Sequence, residues 1–316
     1  MAESLGRRRF LVASAASLGA GLALRDRVRS SPVPTQPFTL GFSLYGMKSL
    51  PIEKALKTCA DIGYRDVEPA LLEGFDTEPT KLSAARRKEV RSLLDSLGLR
   101  VPAVMENIRP AVSDDAQQTN LEKIARAAEL AHEWAPKGAA AKPVIETVLG
   151  GKPEEWKAYR EPMLAGLRSW AAAAKKSDVV IAIKAHVAGA MHTPEDTVAV
   201  VRELNSPNLR AVYDFSHFER QGMDLEKSVR TLLPETVFIH VKDGRGKPGG
   251  KFEFLLPGEG ETDYVKYFRI LRELNYSGSV TVEVSAQIHQ KPGYEPASAA
   301  RKSYEALSRA YVASAG

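Results

Sequence analysis

From residue 37 to its end the chain repeats one pattern eight times: a short β-branched or aromatic run, then a longer stretch with apolar residues at helical spacing. The runs fall at 38–45, 66–68, 99–105, 143–148, 179–184, 209–214, 237–242 and 279–285. The helical stretches fall at 52–62, 83–97, 116–133, 154–175, 194–204, 225–233, 264–274 and 297–312. Eight strand-then-helix units in a row predict a parallel sheet with crossover helices. Such strands are covered on both faces and read as apolar runs, as Val179-Val180-Ile181-Ala182-Ile183 does. An open doubly wound sheet would carry a Gly-rich phosphate loop after its first strand; Ser43-Leu44-Tyr45-Gly46-Met47 holds one glycine. The expectation is a single-domain (β/α)8 TIM barrel over residues 36–316. Ser83 and Thr193 are placed to cap helices, with Pro194 in the first turn, and Gly63 and Gly98 to end them.

Length and charge are consistent with this. The 316 residues exceed an ordinary barrel by little more than a leader and some loops. Of the net charge of +5, residues 1–30 carry six arginines against Glu3 and Asp26, leaving the body close to neutral. A neutral body lacks the basic footprint of a nucleic-acid binder. No apolar run in it is long enough to span a membrane. The single cysteine, Cys59, makes neither an intrachain disulfide nor a thiolate zinc cluster and reads as a buried small residue.

The first residues have another character. Arg7-Arg8-Arg9-Phe10-Leu11 precedes an Ala/Gly-rich run to Leu24, the layout of an export signal. The arginines with Phe10-Leu11 resemble the twin-arginine signal, which sends folded proteins across the bacterial inner membrane. Residues 1–35 are therefore expected to be leader and linker, and the protein periplasmic or exported.

In a barrel of this type the chemistry sits where strands end. The polar residues there are Glu68, Glu146, Lys184, His186, Asp214, His217, His240, Lys242, Asp243 and Glu283, with His289 in the last loop. Glu283, within Val280-Thr281-Val282-Glu283-Val284, is expensive to bury unless paired or bound, and Glu146 poses the same problem. The segment from Asp243 to Glu261 is long and glycine-rich, suited to a lid whose aromatics stack on a sugar.

Five motifs together resemble the xylose isomerase-like barrels over roughly residues 38–312. They are Gly63-Tyr64-Arg65-Asp66-Val67-Glu68, Asp214-Phe215-Ser216-His217, His240-Val241-Lys242-Asp243, Pro257-Gly258-Glu259-Gly260 with Asp263, and Tyr276-Ser277-Gly278 leading to Glu283. The resemblance implies a sugar or polyol isomerase or epimerase that abstracts a proton next to a carbonyl and stabilises an enediolate. Its alternatives are a lyase or dehydratase on a keto-sugar or inosose, and a non-catalytic sugar-binding barrel. Epimerase-type members hold a divalent metal with Glu, Asp, His and Glu; carried over, the last three are Asp214, His240 and Glu283.

The first ligand position falls on Lys184, which as an ammonium has no lone pair to offer. Three readings follow: Mn²⁺, Zn²⁺, Co²⁺ or Mg²⁺ held by the remaining ligands with water, His186 or Glu146; no metal, with Lys184 in the cation's place; or lost catalysis. Glu283 is the expected general base, with Glu146 or Lys184 as acid partner. His186, His217, Lys242, Glu68 and His289 are expected to contact a small carbohydrate.

Overall fold

The computed structural model describes residues 37–316 apart from 111, 112, 137–140 and 248, so the expected leader lies outside the described residues. The strands are β1 (Thr39–Ser43), β2 (Asp66–Glu68), β3 (Ala103–Met105), β4 (Val144–Val148), β5 (Val180–Lys184), β6 (Leu209–Asp214), β7 (Thr236–Val241), β8 (Asp243–Gly246), β9 (Phe252–Leu255) and β10 (Ser279–Val282). Eight pair in parallel in the order β2-β1-β10-β7-β6-β5-β4-β3. Between β2 and β3 the ladder narrows to two bridges, Asp66–Arg100 and Ala70–Met105, which bring the ends of the sheet together. The expected eight-stranded barrel is therefore present, and β8 and β9 form a separate antiparallel hairpin. The third strand is shorter than its apolar run because Pro102 has no N–H to give the ladder.

The larger helices are α1 (Ile52–Ile62), α2 (Ala84–Leu97), α3 (Asp114–Trp134), α4 (Trp156–Lys176), α5 (Pro194–Leu204), α7 (Leu225–Leu232), α8 (Tyr264–Glu273) and α10 (Pro296–Ala313); short α6 (Phe215–Glu219) and α9 (Ala286–His289) follow β6 and β10. The expected caps are in place. Ser83 accepts the Arg86 N–H and Thr193 that of Asp196, while Gly63 and Gly98 end α1 and α2 at positive φ. None of the helices described is long and apolar enough to cross a membrane.

The period of two along each strand builds the site. One set of alternate residues, including Ile145, Ile181, Ile183, Tyr213, Ile239, Val241, Val280 and Val282, joins the apolar core that also takes in helix residues. Residues of the other set point into the barrel. There Ala103, Val144, Val180, Ala182, Val212 and Phe238 form a separate apolar plug. Two residues further along the same strands, Val144 gives way to Glu146, Ala182 to Lys184, Val212 to Asp214 and Phe238 to His240. The layer above the plug is thus charged and buried. In the ring of eight, β4 and β10 lie four strands apart, so Glu146 and Glu283 approach from opposite sides.

Candidate active site

Lys184 lies at the centre of this layer. Its Nζ is 3.3 Å from Glu146 Oε1, 2.9 Å from Glu283 Oε2 and 3.0 Å from His240 Nδ1. Lys242 donates to Asp214 Oδ2 and Glu283 Oε2, each at 2.6 Å. His240 is bound on its far side by Glu68, at 2.9 Å, and its Nδ1 stands 3.2 Å from Glu283. Burial alone would lower the His240 pKa, but the Glu68 and Glu283 carboxylates overcome it and push the ring up to about 9. Glu283 Oε2 thus receives Lys184, Lys242 and the Nδ1 edge of His240 together. The catalytic and metal-ligand residues expected from sequence are therefore gathered in one place.

The two opposed carboxyls are driven apart in acidity. Burial pushes Glu146 up, and Lys184 and His240 offset this only in part. Burial also pushes on Glu283, but Lys184, Lys242 and His240 outweigh it and hold that carboxyl well below the usual range. Asp214 is likewise held down, Lys242 and His217 overcoming its burial. Carboxyls split in this way are the arrangement in which one gives a proton and the other takes one.

A chamber of about 220 Å³ opens on this cluster, lined among others by Tyr45, Arg109, Glu146, Lys184, His186 and Glu283. Glu146 Oε2 is buried without a hydrogen-bond partner. His186 accepts the Ala188 N–H on Nδ1, at 3.1 Å, which assigns the ring proton to Nε2 and makes it a donor. Burial, helped by Lys184 and Lys242, lowers the His186 pKa to about 4. A histidine lowered in the native state is stable above its unfolded pKa and loses stability as pH falls below it. Between about pH 6.5 and 4 the unfolded chain takes up a proton that native His186 refuses, and stability falls by up to about 3 kcal/mol. His186→Gln removes that slope, which urea unfolding of both proteins across this range measures; equal slopes would contradict it.

The remaining expected contacts take different places. His217 packs against His186 with ring centroids 4.2 Å apart and lies 3.4 Å from Asp214. Both its ring nitrogens are buried without partners. Glu68 stands behind His240, fully buried. Lys242 is held between Asp214 and Glu283, as counter-ion to both. His289 packs edge-on against Tyr45, at 4.7 Å, further out. Tyr45, Glu106 and Arg109, which sequence reasoning passed over, line the chamber. Their signal was position alone, since they follow β1 and β3 at the end where a barrel does its chemistry. A larger cavity, about 740 Å³, opens at the strands' other ends and contains none of these groups.

Asp243 acts as a clamp. Its buried carboxylate accepts the N–H groups of Gly244 (2.9 Å), Gly258 (2.9 Å), Gly260 (3.0 Å) and Thr262 (3.1 Å). A Cβ at Gly260 would collide with that carboxylate, so the glycine is required. Phe254 of the hairpin packs 5.7 Å from His217 and 5.9 Å from Lys242 as a roof. The glycine-rich segment is thus anchored at its base. Asp243→Asn turns an amide N–H towards backbone N–H groups and costs about 3 kcal/mol. A lower Tm and faster proteolysis within residues 244–262 are expected; an unchanged Tm would show that the four bonds contribute nothing.

Two groups of side chains bring metal-ligating atoms within 4.8 Å of one another: Asp214, His240 and Glu283, and Glu68, Glu146 and His240. The first is the set expected from sequence. As packed, its carboxylates face ammonium groups. A divalent ion would have to displace Lys242 from between Asp214 and Glu283, or Lys184 from among Glu146, His240 and Glu283.

Comparison with known proteins places the molecule. Residues 56–310 match the family model described as a xylose isomerase-like TIM barrel. The inosose dehydratase of Clostridium perfringens is 26% identical over 174 residues, 50% of this chain and 54% of that one. L-ribulose-5-phosphate 3-epimerase UlaE of Escherichia coli O157:H7 is 25% identical over 134 residues, 42% of this chain and 46% of that one. The chain thus spans about half the length of the curated relatives it matches. Among solved structures, a xylose isomerase domain protein from Alicyclobacillus acidocaldarius superposes with a TM-score of 0.72 at 18% identity, covering 88% of this chain and 100% of that one. The 3-keto-D-glucoside 4-epimerase of E. coli gives 0.67 at 18% identity, covering 86% and 99%. A xylose isomerase-like barrel protein from Mycobacterium smegmatis, solved in complex with magnesium, gives 0.65 at 18%, covering 88% and 98%.

Proposed function

Because the chain belongs to the xylose isomerase-like TIM barrel family, we propose that it is a sugar or polyol isomerase or epimerase that abstracts a proton next to a carbonyl. One observation carries the reading: Glu146 and Glu283, from opposite sides of the barrel, reach the same lysine at the wall of one chamber. Glu283 takes the proton from the substrate carbon. The electron pair moves onto the carbonyl oxygen, where Lys184 and the His186 Nε2–H stabilise the enediolate. Glu146 returns a proton to the opposite face, as epimerisation requires. As Lys184 turns to the new oxygen it withdraws from Glu283, whose basicity rises as the reaction needs it.

The second reading is elimination, with Glu146 protonating a leaving hydroxyl on the next carbon. It is supported by the likeness to a dehydratase and by the raised Glu146 pKa. NMR in D2O with keto-sugars and inososes separates the two: deuterium in an unchanged skeleton means epimerisation, an enone means elimination. Neither product with any such substrate would leave the sugar-binding alternative.

In this reading the two lysines do the work of a divalent ion. The purified protein is then expected to hold no stoichiometric metal, whereas Lys184→Glu, which restores a carboxylate among Asp214, His240 and Glu283, gains one. Elemental analysis of both proteins decides; stoichiometric metal in the natural protein would overturn the lysine-for-cation reading.

Residues 1–35 are proposed to be a twin-arginine leader for export of the folded barrel. Arg8→Lys with Arg9→Lys would then retain the protein in the cytoplasm, as fractionation reads.

A further inference from the structure

The inner chamber is small, below the roughly 300 Å³ at which small-molecule pockets usually begin. It does not stand alone. A second chamber of about 330 Å³ abuts it, and the two share Tyr45, Leu72, Glu106 and Asn107 as walls. Beyond that wall the second chamber is bounded by Lys48, Glu73, Phe75, Lys123, His289 and Gln290.

The chemistry of the outer space is specific. Tyr45 and Phe75 are stacked, with centroids 5.9 Å apart and an interplanar angle of 15°, and make an aromatic wall. The lysines there are already engaged. Lys48 Nζ lies 4.9 Å above the Phe75 ring, and Lys123 donates to Asn107 O at 3.1 Å, 3.6 Å from Glu106. Glu73 and Glu106 balance them in charge. A phosphate would bring two negative charges into a space with no net positive charge. A second ring, apolar on its faces and hydroxylated at its edge, matches aromatic surface bordered by carboxylates and amides.

We infer that the outer chamber is a subsite for a second, uncharged ring, so that the substrate is a glycoside-like compound of two joined rings. The carbonyl-bearing ring lies in the inner chamber against Glu146, Lys184 and Glu283, and its partner lies against Tyr45, which is stacked on Phe75. This rests on the proposed carbonyl chemistry for which ring reacts, but the subsite is testable by binding alone.

The test is calorimetric titration of the natural protein with glucose, glucose 6-phosphate, cellobiose, trehalose and phenyl β-D-glucoside. At least one two-ring probe is expected to bind at least roughly tenfold more tightly than glucose, the worth of one added ring contact. Gln290 is exposed on the outer wall, and Gln290→Trp fills that space. It should abolish the advantage of the two-ring probe while leaving glucose affinity unchanged. Lys48→Glu is the companion variant; it should leave two-ring binding within a factor of a few, because no anion is held there. Glucose binding as tightly as every two-ring probe overturns the inference. So does tightest binding of glucose 6-phosphate, which would assign the cleft to an anion on Arg109, and so does an advantage that survives Gln290→Trp. Proton exchange in D2O is read separately. Exchange into a keto-monosaccharide with no gain from a second ring would leave the chemistry standing and remove the subsite; a two-ring advantage without exchange would do the reverse.

Discussion

Glu283→Gln lowers kcat by about 10³-fold, within the range for loss of a positioned general base, and leaves KM nearly unchanged. Glutamine has the shape of glutamate and still accepts a hydrogen bond through its amide oxygen, so the side chain remains among Lys184, Lys242 and His240. What it loses is the capacity to take a proton. The decisive readout is wash-in of solvent deuterium at the substrate carbon, which should fall in step with kcat. If the variant keeps deuterium exchange within tenfold of the natural protein, Glu283 is not the base. Glu146→Gln separates the roles: it should still allow exchange from the Glu283 face while blocking inverted product.

Lys184→Met should have two large effects at once. The lysine touches three partners and is fully surrounded. Burial alone would lower its pKa, but Glu146 and Glu283 overcome this and raise it well above the ordinary range. Removing one partner of such a set leaves Glu146 and Glu283 short of a cation and costs about 3–5 kcal/mol. A fall in Tm of roughly 10 °C follows from that loss at a few degrees per kcal/mol. Activity should fall a further 10²–10³-fold, as when a donor to a developing oxyanion is removed. Lys184→Arg keeps the charge but does not fit the space, so it should recover part of the stability and little of the activity. A stable Lys184→Met variant revived by added Mn²⁺ or Zn²⁺ would show that the lysine only blocks a metal.

Much of this was legible in the sequence because each strand had to alternate. A charged residue two places beyond an apolar one, in a run buried on both faces, has nowhere to point but the barrel interior. Glu146, Lys184, Asp214, His240 and Glu283 stand out in the sequence by their place at strand ends, with Asp214, His240 and Glu283 marked further by the resemblance to the xylose isomerase-like barrels; the alternation explains why they converge. Pairing was not legible. The role of Lys242 as a counter-ion, and the retreat of Glu68 behind His240, depend on register between strands far apart in the chain. By position alone Asp243, a carboxylate at a strand end, belongs with the rim residues. Its hold on the backbone appears only with the return of residues 258–262 onto it. Tyr45, Glu106 and Arg109 carried no pattern of their own, and their place in the chamber wall comes from loops that no periodicity constrains.

The Asp243 clamp has a bearing on how this scaffold can change. Its four bonds fix both ends of the hairpin segment one residue beyond Lys242, so a length change at either end would be felt at the ion pairs below. A change of length is better tolerated between those two anchors than at either of them. Diversification of the pocket is thereby directed to the opposite rim, to the loops bearing Tyr45, Phe75 and Glu106, where a new partner ring can be accommodated without disturbing the charges that hold the reacting one.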